Sequence, residues 1–128
     1  MEDRLLAIRE RADRTYGTNE LEDLLEDLLG YLVVNADHRM IAEGRLCELV
    51  LAGGGDPVTV LSSPGTIETL EFCMLALRWS RVEDALRSLI AAHPGEVGRP
   101  WDARRRAEQV LDSFRPESTT GELYRLYR

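Results

Sequence analysis

The segment "NELEDLLEDLLGYLVV", residues 19 to 34, sets Leu21, Leu24, Leu25, Leu28, Leu29 and Leu32 at offsets of 0, 3, 4, 7, 8 and 11. Only an α-helix gathers that spacing into one broad stripe, and the stripe must be buried against other elements. The rest of the chain repeats the message. Apolar positions recur every three to four residues almost throughout, and no alternating run is long enough for a strand, so the expected class is all-α.

Stops and starts divide the chain into about six helices. The first runs from about Asp3 to Arg14, with Leu5, Ile8 and Ala12 inward, and ends at Gly17. The leucine helix follows, with Asn19 as its cap. A third, "MIAEGRLCELVLA", is capped by Asp37 and halted by Gly53, Gly54 and Gly55, which cannot sustain helix. Asp56–Pro57 and Ser63–Pro64 each pair a capping residue with proline at the first helical position. The second pair opens the most apolar helix, near 64–79. There Ile67, Leu70, Phe72, Cys73, Met74, Ala76, Leu77 and Trp79 leave a thin polar strip of Glu68, Glu71 and Arg78. A helix apolar nearly all round is a central one, and Phe72, Met74 and Leu77 are expected to be deeply buried. Ser80 and Glu83 form a capping box for the next helix, which turns Val82, Ala85, Leu86, Leu89 and Ile90 inward. "WDARRRAEQVLDSF" supplies the last, before Pro116.

The expected architecture is one helical domain over 1–115, a six-helix bundle with stacked, solenoid-like helix pairs as the alternative. Residues 116–128 form a tail, either frayed or a short docking helix. A chain of 128 residues buries a sufficient core without staples.

Little points to catalysis. His38 and His93 each lack a second ligand at helical spacing, so no metal is expected. Cys47 and Cys73 belong to no CxxC pair and are read as reduced core thiols. "GGGDP" has neither a preceding strand nor a following Lys-Ser/Thr, so it is a helix stop rather than a phosphate cradle. No catalytic residue and no cofactor is nominated. The longest apolar runs are far short of a membrane span, and the charged start "MEDRLLAIRERADR" is unlike a signal peptide, so a cytoplasmic protein is expected.

Charge is more informative. Residues 1–64 carry thirteen acids against six arginines, whereas 65–128 carry ten of each, so the net charge of −7 resides in the first half. This balance disfavours nucleic acid, whose phosphates need basic groups, even with Arg104 to Arg106 in a row. The polar side of the leucine helix carries Glu22, Asp23, Glu26 and Asp27, including like charges four apart that repel. A charge run of this kind is either a plain solvated face or, because a like-charge stripe with a stability cost suits a basic protein partner, a binding face, and these four residues are the first candidates for it. Trp101, Tyr124 and Tyr127 form a second, as exposed aromatic groups.

A small acidic all-helical chain with an acid-and-leucine helix and the central segment "LEFCMLALRWSRVEDAL" resembles the helical immunity proteins of bacterial polymorphic and contact-dependent toxin systems. The resemblance implies a non-enzymatic inhibitor that binds and blocks a cognate toxin, often a basic nuclease. The alternative is a structural or regulatory domain that self-associates through exposed apolar and aromatic residues. A monomer or weak homodimer is expected.

Overall fold

A computed structural model describes residues 1–14, 20–51, 65–92, 103–117 and 119–127. These residues form six α-helices and no strand: α1 (Glu2–Ala12), α2 (Glu22–Val34), α3 (Arg39–Leu51), α4 (Thr66–Leu77), α5 (Ser80–Ala92) and α6 (Ala103–Leu111). Three 3-10 turns follow α6, at Asp112–Phe114, Thr120–Leu123 and Arg125–Tyr127. The caps expected at Asn19 and Ser63, the glycine run 53–55, His93 and Trp101 lie outside the described residues.

The leucine stripe behaves as its period requires. Leu21, Leu25, Leu28 and Leu32 are buried, and Leu24 and Leu29 pack at the margin of the core. Helix α3 buries Ala42, Leu46 and Val50, spaced by four, and α5 buries Val82, Ala85, Leu86 and Leu89. Helix α4 packs against α2, α6 and the turns that follow α6, so its central position holds. Phe72, Met74, Leu70 and Cys73 are fully enclosed. Leu77 corrects the expectation: it lies in the last turn, where the helix emerges from its neighbours, and is only half-buried. Trp79 is buried, with the Arg39 guanidinium 5.2 Å from its ring centre.

Two backbone positions set how α4 enters and leaves the core. Gly65 caps its start at φ +80°, and Arg78 ends it at φ 47°, ψ 47°, left-handed geometry that glycine tolerates and arginine does not favour. After Arg78 and Trp79, α5 starts with the Val82 and Glu83 N–H groups bonded to Trp79 O, at 3.1 and 3.2 Å.

The tail is seated as 3-10 turns rather than an α-helix. The Tyr124 ring meets Phe72 edge-on at 5.1 Å, the Tyr127 ring does so at 5.2 Å, and Tyr127 OH donates to Phe72 O at 2.7 Å. Tyr124 is fully buried and Tyr127 half-buried, so neither is the exposed aromatic expected from the sequence. Burial of a ring whose hydroxyl finds a partner is worth more than its exposure, and α4 supplies that partner in each case.

Candidate protein-contact face

Helix α2 exposes Asp23, Glu26, Asp27, Gly30, Val33 and Val34. At 100° per residue these six occupy one side of the helix, opposite the leucine stripe. Along that side the chemistry changes within three turns, from acid to bare backbone at Gly30 to apolar. Among the described residues, beyond the backbone of α2 itself, no atom lies within 4 Å of where a Gly30 side chain would begin.

The acidic end differs from the sequence reading in two respects. Glu22 is not on it: the residue is fully buried, because it stands two turns before Leu29 and shares the margin of the leucine stripe. Asp23 and Asp27 are exposed but tied to α1. Arg11 Nη1 donates to both Asp23 oxygens at 2.7 and 2.9 Å, and Arg4 Nε donates to Asp27 Oδ2 at 3.0 Å. The Arg11 hydrogen bond holds the Asp23 carboxyl below its ordinary range. These arginines also offset the repulsion between Asp23 and Asp27. Both pairs are largely solvated, so each contributes little to stability, of order 0–1 kcal/mol. Glu26 stands between them as an exposed acid.

The apolar end is built by the α2–α3 corner. Asn35 closes α2, its backbone N–H and its side-chain amide both donating to Tyr31 O at 3.0 and 2.9 Å, and the turn Ala36–His38 follows. That tight corner joins the end of α2, which exposes Val33 and Val34, to the start of α3, which exposes Met40 and Ile41. They are four of the six large apolar side chains that stand exposed among the described residues; Val34, Met40 and Ile41 are 80%, 78% and 74% accessible. Single exposed apolar residues are ordinary, but four within nine residues of sequence make this corner the candidate contact surface. Sequence reasoning missed it. The one available signal was the row Ala42, Leu46, Val50, which leaves Met40 and Ile41 off the buried side of α3.

A cavity of about 50 Å³ opens at the same corner, lined chiefly by Tyr31, Leu32, His38, Ile41 and Ala42. It is a fraction of the ~150 Å³ that accommodates a benzene ring, so it takes one aliphatic group and no cofactor. Among the described residues no group of three or more His, Cys, Asp or Glu side chains is placed to hold a metal ion. Cys73 is enclosed, burial pushing its thiol up to about 12, and half-buried Cys47 donates its thiol to Arg81 O at 3.4 Å. Among the described residues no helix is long and apolar enough to cross a membrane.

Of the seven candidate binding residues, the structure brings Asp23, Glu26 and Asp27 together on one face. It turns Glu22, Tyr124 and Tyr127 inward, and Trp101 is outside the described residues. Comparison with family models, curated proteins and solved structures finds no match for the chain.

Proposed function

We propose that this chain is a non-enzymatic protein-binding module, most concretely an inhibitor of the immunity type that covers a basic protein such as a toxin. One observation carries the reading: the outer face of α2 runs from Asp23, Glu26 and Asp27 to exposed Val33 and Val34, and α3 exposes Met40 and Ile41 directly after the Ala36–His38 turn. Protein interfaces combine a desolvated apolar centre with a polar, charged rim, and this face has both in order. The acids attract a basic partner and raise the encounter rate, while the apolar corner, once covered, holds it. An aliphatic side chain of the partner fills the cavity beside Ile41. The net charge of −7 supports the sign of the partner.

The test is site-specific photo-crosslinking in the native host from position 41, with position 87, on the exposed side of α5, as the control. A basic protein trapped from 41 and not from 87, and lost with Met40→Glu, supports the proposal. Trapping of a second copy of the chain from 41 replaces it with self-association. A partner trapped from 87 alone rejects it.

A further inference from the structure

Residues 119–127 lie over α4 as a strap of two 3-10 turns. Turns this short have no stability of their own, so the strap is held by its anchors. Besides the ring contacts with Phe72, these are Tyr127 OH on Phe72 O, Thr120 Oγ1 on Asp112 Oδ2 at 2.9 Å, and Tyr124 OH, which donates to Glu71 Oε2 at 3.2 Å.

The last anchor is a carboxyl in an unusual setting. Glu71 is 3% exposed. Its other oxygen accepts from Gln109 Nε2 of α6 at 3.0 Å, so both of its hydrogen-bond partners are neutral. The charged groups acting on it are Glu68, one turn back on α4, and Asp112 in the turn after α6; both are acids. Helix α2, also packed on α4, brings buried Glu22 to the same core. Protonated, Glu71 is accommodated there as a neutral polar group: one oxygen accepts from Gln109 Nε2, and its own hydroxyl pairs with the Tyr124 hydroxyl, one of the two donating to the other. Ionised, it is a buried charge with no countercharge among the described residues, and the cheapest relief is water.

We propose that the strap 119–127 is a proton-linked latch, seated over α4 while Glu71 holds its proton and released when that carboxyl gives the proton to solvent and draws water in. Burial of Glu71 supports this, raising its pKa from 4.5 to about 7 against the opposing pull of the Gln109 and Tyr124 hydrogen bonds. Release turns Tyr124 and Tyr127 outward and uncovers Phe72, creating an apolar surface distinct from the α2–α3 corner. Because the released carboxyl titrates at its ordinary value, the open-to-seated ratio rises about tenfold between about pH 6 and pH 8.

Hydrogen exchange at the Tyr124 and Tyr127 amides, bonded at 3.2 Å to Gly121 O and Tyr124 O respectively, reads the latch directly. After correction for base-catalysed intrinsic exchange, their protection is expected to fall about tenfold across that range while the central α4 amides hold theirs. In Glu71→Gln the strap's protection is expected to be independent of pH. Unchanged protection in the native protein, or the same fall in Glu71→Gln, overturns the proposal. If Glu71→Gln does not fold, the side-chain carboxyl carbon of Glu71 in the native protein decides. A titration midpoint near 7 that tracks strap release supports the latch, and one in the ordinary carboxylate range rejects it.

Discussion

A β-carbon on Gly65 would stand 2.8 Å from Cγ2 of Ile8, so α1 lies against the entrance of α4 with no room for a side chain between them. Ala12 Cβ would be 3.3 Å away on the same side. The backbone there is also left-handed, at φ +80°. Gly65→Ala meets both penalties at once, a left-handed residue and an overpacked contact, and is expected to cost about 2–4 kcal/mol. Urea unfolding measures it. A loss under about 1 kcal/mol would mean that α1 moves freely off α4.

Arg78 is the opposite case. It is exposed and holds φ 47° without being glycine. Arg78→Gly removes the left-handed strain and adds unfolded-state entropy, for a net gain of up to about 1 kcal/mol. A clear loss in the same unfolding experiment would show that the arginine side chain makes contacts that outweigh the strain.

Truncations along α4 are expected to grade with depth. Met74→Ala removes a fully enclosed side chain and should cost about 2–5 kcal/mol, whereas half-buried Leu77→Ala should cost about 1–2 kcal/mol. Equal losses at the two positions would place Leu77 in the core after all.

Overall stability should fall as pH rises from about 5 to 8. The folded-state pKa of Glu71 is raised above its ordinary value, so its contribution is fully present below 4.5 and is lost as pH climbs to about 7. The loss is at most about 3 kcal/mol. Asp23 and Glu2, held low by Arg11 and Arg45, act in the other direction and weaken the fold only in stronger acid. Thermal melts across this range check the sign. A midpoint that rose with pH, or a fall that persisted in Glu71→Gln, would contradict the assignment.

The elements that the sequence made legible are those whose partners lie within a helical turn or two. Leucines 21 to 32 announce their own inward side, and so do Val82 to Leu89. Glu22 was misplaced because its charge was read without its register: seven residues from Leu29, it belongs to the edge of the stripe. Tyr124 and Tyr127 were misplaced for a different reason. Their hydroxyls bond to Glu71 and Phe72, 53 and 55 residues away, and no local pattern in "ESTTGELYRLYR" contains that information. The α2–α3 corner was hidden by its composition, since Met40 and Ile41 look like core until α3 is seen to bury Ala42, Leu46 and Val50 instead.

The pairing of Asp27 with Arg4 also decides which charge to reverse on the proposed contact face. Replacing Asp27 by lysine would set two cations against each other, whereas Glu26 stands between the two ion pairs. Glu26→Lys is therefore expected to change stability by less than about 0.5 kcal/mol, with circular dichroism and a melt as the check.

The most direct test of the contact face is the binding kinetics of the partner trapped from position 41, measured with Glu26→Lys and Ile41→Glu at two ionic strengths. The acidic end should govern encounter, so Glu26→Lys is expected to slow association several-fold at low salt and to flatten its salt dependence. The apolar corner should govern retention, so Ile41→Glu is expected to speed dissociation tenfold or more, roughly 1.4 kcal/mol or above, with association little changed. If both variants bind with native rates at both salt concentrations, the outer face of α2 and its corner are not the contact surface.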